Sequence, residues 1–216
     1  MKKLLKKMMA TLLAAYMMLS TSVTVFAENN VTMIAGYECY ERDGEYYTMI
    51  DGTEYHIVMF EETEIVTDPV LLEQLNSLFD ENSNARNGYP SSWPNARTLD
   101  ISDGSTYTAR ANLNYADYYS PGLIVDISAD GNGSAGTIRV DYVTSPGTTT
   151  YYIDVTFHFY SVGEWKSTTK KIGFNSEIKN HILFMGTTAT TIDKVCFKLA
   201  KNGAGNGAFD FSYTQP

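Results

Sequence analysis

The sequence predicts a mainly β protein: an antiparallel two-sheet β-sandwich of jelly-roll type, preceded by a small β-meander and one helix. Three observations predict this class. Several segments of the carboxy-terminal half alternate between apolar and polar residues, and turns rich in Gly, Ser and Pro separate them at regular spacing. Only one stretch of the chain has apolar residues at helical spacing. Strands with one apolar face need a second sheet to cover that face, which favours a sandwich.

The first element, residues 1–27, has the pattern of a secretory signal peptide. Four lysines within the first seven residues precede the apolar stretch "MMATLLAAYMML", and the small residues Val25 and Ala27 stand where a signal peptidase cleaves. The apolar run is too short for a permanent membrane span. We therefore expect a secreted, extracellular protein with no transmembrane anchor after cleavage.

Residues 28–80 are predicted to form a small acidic α+β unit. Asp51-Gly52 separates "EYYTMI" from "TEYHIVMF", and this dipeptide favours a type I′ hairpin turn. A helix is predicted over residues 69–79, because Asp68 can cap it and Pro69 suits its first turn. Its leucine stripe, which includes Leu75, is expected to pack on the meander.

A linker and the sandwich itself complete the predicted organisation. Residues 81–99 are rich in Asn, Ser and Pro and have no periodicity, so they read as a linker in which Trp93 covers an interdomain seam. Residues 100–216 hold the alternating segments. In "TYYIDVTFHFY", Ile153, Val155 and Phe157 share one face and are expected to be buried.

The charge of the chain argues against nucleic acid as a partner. There are 25 acidic and 16 basic residues, a formal net charge of −9. Residues 28–100 contain three arginines and no lysine, so this segment would repel a phosphate backbone. Solubility is the simple explanation of the acidity, and docking on a cationic partner is the alternative.

The segment "DISADGNGSAGT" raises the possibility of bound calcium, the one cofactor that the sequence suggests. Asp126, Ser128 and Asp130 occupy positions 1, 3 and 5 of an EF-hand-like loop, and Gly131 occupies position 6. Thr137 stands where such a loop needs a glutamate, and the flanking segments read as strands. A hairpin tip without metal is therefore the alternative.

The polar face of the segment from 151 to 160 is the predicted ligand-binding surface. Aromatic rings flanking hydrogen-bonding groups suit a sugar, whose C–H face stacks on a ring while its hydroxyls bind polar partners. Ordinary cross-strand pairing on a solvated face is the alternative. The predicted surface consists of Tyr152, Asp154, Thr156, His158 and Tyr160, extended by Trp165 beyond the next turn.

Two cysteines, Cys39 and Cys196, would meet an oxidising environment outside the cell. A disulfide between them is one possibility and two unpaired thiols the other, because spacing alone cannot show that they meet.

No catalytic residues are predicted. The three histidines lie on separate segments without the spacing of a helical zinc site, and no G-x-S-x-G motif is present.

The segment "KVCFKLAKNGAGNGAFDFSYTQ" resembles the closing hairpin of small secreted bacterial β-sandwich domains such as the pre-peptidase C-terminal domain. The resemblance implies a non-catalytic appendage of the kind common in that family. The function expected first is therefore non-catalytic binding of a glycan or a protein outside the cell. The alternatives are an extracellular hydrolase that uses carboxylates and an acidic accessory or inhibitory protein for a basic partner.

Overall fold

The computed structural model describes residues 31–60, 62–79, 98–114, 116–127, 134–143, 150–186, 191–203 and 207–215. The predicted signal peptide and Trp93 lie outside these ranges. Within them, no helix has the length and apolar character needed to cross a membrane.

The described strands form two sheets. In spatial order, sheet A contains β1 (Thr32–Ile34), β2 (Tyr37–Arg42), β3 (Glu45–Ile50), β4 (Thr53–Phe60), β13 (Asn180–Gly186), β10 (Ser134–Tyr142), β15 (Ala208–Thr214) and β7 (Tyr107–Asn112). Sheet B contains β5 (Glu64–Ile65), β12 (Glu164–Phe174), β11 (Tyr151–Ser161), β14 (Ile192–Lys201), β9 (Gly122–Ile127) and β6 (Thr98–Asp100), and β8 (Tyr118–Tyr119) also pairs with β14.

The main hydrophobic core lies between the two sheets and confirms the predicted sandwich. Ile153, Val155 and Phe157 are fully buried, as the alternation predicted. They pack in the same cluster as Phe197 of sheet B and Phe209 of sheet A. Each sheet thus removes one apolar face from water, which is the driving force expected for this architecture.

The meander is a continuation of sheet A rather than a separate unit. Strand β4 pairs in parallel with β13, so that Ile57 lies opposite Ile182 and Val58 opposite Leu183. Residues from Thr32 onwards form one compact unit. The predicted domain boundary is therefore wrong, because the pairing of β4 with β13 joins the two segments. The predicted linker also ends earlier than residue 99, since β6 begins at Thr98.

The helix, α1 (Pro69–Ser77), begins where the sequence predicted. The side chain of Asp68 accepts a hydrogen bond from the backbone N–H of Val70 at 2.9 Å. The predicted packing on the meander is wrong, because α1 lies on the outer face of sheet B. The two-residue strand β5, at the edge of sheet B, pairs with β12 and brings the chain to that face.

Within the described ranges, four hairpin turns have two successive residues at positive φ, the geometry of a type I′ turn. Asp51 and Gly52 have φ values of 49° and 77°, which agrees with the prediction. The turn between β11 and β12 has the same geometry with Val162 at 54° and Gly163 at 82°. A β-branched residue is unfavourable in this region, so the Val162 turn is strained.

Candidate functional site

The predicted ligand-binding face of β11 is divided into an exposed part and a covered part. Tyr152, at the start of the strand, is 41% exposed. Asp154 and Thr156 are half-buried. His158 is only 4% exposed and Trp165 on the neighbouring strand 3% exposed. The exposure of this face therefore falls from Tyr152 to His158.

Helix α1 and the residues next to it cover the second part. Leu75 and Leu78 pack against Trp165, and the Trp165 Nε1–H donates a hydrogen bond to Asn76 Oδ1 at 2.9 Å. Tyr160 joins this cluster, with its ring centroid 5.5 Å from that of Trp165. His158 and Trp165 are buried and so do not present a surface to a ligand, which contradicts the prediction for these two residues. Tyr160 is half-buried, and its ligand-binding role stays a prediction.

The Tyr152 ring lies over a glycine on the neighbouring strand. Gly173 is its cross-strand partner, and a Cβ atom on Gly173 would lie 2.9 Å from Tyr152 Cε1. The absence of a side chain at this glycine allows the ring to lie against the backbone. Lys171 places its Nζ 4.5 Å from the ring centroid, within the range of a cation–π contact.

Polar groups with fixed orientations continue this exposed part. Asp154 accepts hydrogen bonds from Asn202 Nδ2 at 2.7 and 2.8 Å, one to each carboxylate oxygen. The hydroxyl groups of Thr156 and Thr169 lie 2.9 Å apart. The name open patch is used below for Tyr152, Asp154, Thr156, Lys171 and Asn202.

The other predicted sites have different outcomes. Asp126 is exposed, whereas Ser128 and Asp130 lie outside the described residues, so calcium binding stays a prediction. The described residues contain no group of three His, Cys, Asp or Glu side chains able to hold a metal ion.

Of the two alternatives for the cysteines, the structure has the unpaired thiols: both are buried and free, in separate hydrophobic clusters. Cys39 packs with Tyr55 and Ile57 on sheet A. Cys196 packs beneath helix α1 on sheet B. Burial raises the pKa of both thiols, which disfavours the reactive thiolate form.

A histidine pair in a groove of about 490 Å³ is a feature that the sequence did not predict. The groove lies where β12 of sheet B contacts β4 of sheet A. His56 and His181 are direct partners in the parallel β4–β13 pair, and their Nδ1 atoms lie 3.3 Å apart. His56 Nε2 is 3.0 Å from Glu45 Oε2, and His181 Nε2 is 2.9 Å from the Gly173 carbonyl oxygen.

Two histidines are held in their neutral form by burial. Burial, and secondly the neighbouring His56, lower the pKa of His181 to about 3. Burial, and secondly the positive charge of Lys198, lower the pKa of His158 to about 4. A buried imidazole loses the hydration that stabilises its cation, which explains the larger part of both shifts.

No family model, curated protein or solved structure matches this chain. The resemblance to pre-peptidase C-terminal domains accordingly stays a prediction.

Proposed function

We propose that this protein is an exported, non-catalytic binding protein and that the open patch on sheet B binds a glycan. The observation that carries the proposal is the exposed Tyr152 ring, seated on Gly173 beside the hydrogen-bonded pair of Asp154 and Asn202. The signal-peptide pattern of residues 1–27 supports export.

The chemistry of the patch suits a sugar better than an apolar ligand. An aromatic ring provides a flat apolar surface for the C–H face of a pyranose. Asp154 supplies acceptor oxygens, while Asn202 and Lys171 supply donors, so a sugar hydroxyl can both donate and accept. The Asp154–Asn202 hydrogen bonds fix two of these groups before a ligand arrives, which reduces the entropy lost on binding.

The test is binding of the purified protein to a glycan array. Replacing Tyr152→Ala should weaken binding about tenfold, the equivalent of about 1.4 kcal/mol, because the stacking surface is lost. Tyr152→Phe keeps the ring and should retain most of the affinity. Thr108→Ala, an exposed position on the outer face of sheet A, is the matched control and should bind like the original protein.

Two outcomes would contradict the proposal. One is equal glycan binding by the Tyr152→Ala variant and the original protein. The other is capture of a protein ligand with no glycan bound, which would replace the proposed ligand class.

A further inference from the structure

We propose that His56 and His181 bind a divalent transition-metal ion of the zinc class through their Nδ1 atoms, in the groove where β12 contacts β4. Both histidines belong to sheet A, where the parallel β4–β13 pair brings them together. The open patch lies on sheet B, so the metal site and the proposed glycan site are independent of each other.

The distance between the two Nδ1 atoms fits two ligands of one metal ion. In the protein these atoms are 3.3 Å apart, and the ring centroids are 5.2 Å apart. In a tetrahedral zinc site with zinc–nitrogen bonds of about 2.05 Å, two ligand nitrogen atoms lie about 3.3 Å apart. The corresponding ring centroids lie about 5.2 Å apart, because a ring nitrogen is about 1.15 Å from its centroid. Both distances in the protein match a shared tetrahedral ion.

A direct hydrogen bond between the two nitrogen atoms fits these distances less well. Their separation of 3.3 Å exceeds the range of about 2.7–3.2 Å that is typical of N–H donors to oxygen. A linear hydrogen bond of this length along both ring axes would separate the centroids by about 5.6 Å. The observed 5.2 Å shows that the ring axes bend away from the line between the nitrogen atoms, as two ligands of one ion require.

The other nitrogen of each ring is held as in metal-binding histidines. His56 Nε2 is 3.0 Å from Glu45 Oε2, and His181 Nε2 is 2.9 Å from the carbonyl oxygen of Gly173. A carboxylate and a carbonyl only accept hydrogen bonds, so each Nε2 carries a proton and each Nδ1 is the nitrogen left for a metal. Histidines that bind metal usually donate their other N–H to a carboxylate or a backbone carbonyl of this kind.

The metal site does not depend on the charge of His56 in the metal-free protein. With both Nε2 atoms protonated, at most one proton fits between the two Nδ1 atoms. Where that proton is present, the metal ion takes its place and the proton leaves to solvent. Where it is absent, the ion binds two lone pairs that otherwise face each other across 3.3 Å.

Two protein ligands leave two positions of a tetrahedral ion open. Within the described ranges, no third His, Cys, Asp or Glu side chain joins the pair to form a metal-binding group. Water or a small ligand from the groove of about 490 Å³ would fill these positions. Lys170 and Lys171 line the same groove, and their positive charges favour an anionic ligand there. The carboxylate of Glu45, next to His56, offsets part of this positive charge.

Isothermal titration calorimetry on untagged protein expressed from the full chain tests the site, with zinc chloride as the probe. One zinc ion should bind per chain, and excess calcium should not displace it, because calcium prefers oxygen ligands. His56→Phe and His181→Phe each remove one ligand and should weaken zinc binding at least about tenfold. His158→Phe replaces the third histidine of the chain, buried on sheet B, and as the matched control should bind zinc like the original protein.

Glu45→Gln keeps both ligands and weakens the acceptor that holds His56, so it should weaken zinc binding about tenfold. Nitrogen-15 NMR of the original protein needs no variant. Zinc should shift the Nδ1 resonances of two histidines, while their Nε2 atoms keep their protons. Three outcomes would overturn the proposal: no zinc binding, unchanged binding in His56→Phe or His181→Phe, or zinc bound through Nε2.

Discussion

Acid should destabilise the folded protein at pH values above those at which carboxylates with lowered pKa values titrate. His158 and His181 have folded-state pKa values of about 4 and about 3, whereas both should titrate near 6.5 when unfolded. Below 6.5 the unfolded chain gains protons that the folded chain does not, so the free energy of unfolding falls as the pH falls. At pH 5 each histidine should lower the free energy of unfolding by about 2 kcal/mol relative to pH 8. The two together should lower it by about 4 kcal/mol.

Urea unfolding at pH 8 and pH 5, at constant ionic strength, measures this difference. The range excludes carboxylates with lowered pKa values, such as Glu54 and Asp210, whose contributions disappear only at more acidic pH. The His158→Phe variant should lose about 2 kcal/mol of the pH dependence and retain the part due to His181. A free energy of unfolding that changes by less than about 1 kcal/mol between the two pH values would refute the reasoning.

Two further substitutions test the strained turn and the covered face. Val162→Asn should raise the free energy of unfolding by about 1 kcal/mol and the melting temperature by about 2–4 °C, because Asn tolerates positive φ. Asp51→Val, at the matching turn position, should lower the melting temperature; the same sign in both variants would contradict the explanation. Leu75→Ala should lower the free energy of unfolding by about 2–5 kcal/mol, because this fully buried side chain packs in the layer over Trp165. Chemical denaturation measures that cost, and a loss below about 1 kcal/mol would show that the helix layer contributes little.

The strands and turns could be predicted because their signals are local. Alternation in "TYYIDVTFHFY" placed Ile153, Val155 and Phe157 in the core, since neighbouring side chains on a strand point to opposite faces. Asp51-Gly52 placed a hairpin turn because its geometry depends on two adjacent residues. In both cases a few neighbouring residues carry all the information that is needed.

The histidine pair could not be predicted in this way. His56 and His181 are 125 residues apart, and a parallel strand pair joins them. Their juxtaposition depends on the register of β4 against β13, which neither strand's own sequence specifies. The same reason explains the wrong domain boundary, because composition changes near residue 80 while sheet A continues through this pair.

The covered face of sheet B shows why alternation alone does not identify a binding surface. A strict period of two separates the side chains of a strand into two sets, but it does not say whether water or protein covers the more polar set. Tyr, His and Trp suit a face covered by water as well as a face covered by protein, because each combines an apolar ring with a hydrogen-bonding atom. The leucine stripe of α1 required an apolar surface, and β5 brought the helix to Trp165 rather than to the meander. The open patch therefore lies on the part of sheet B outside the cluster that α1 forms with Trp165.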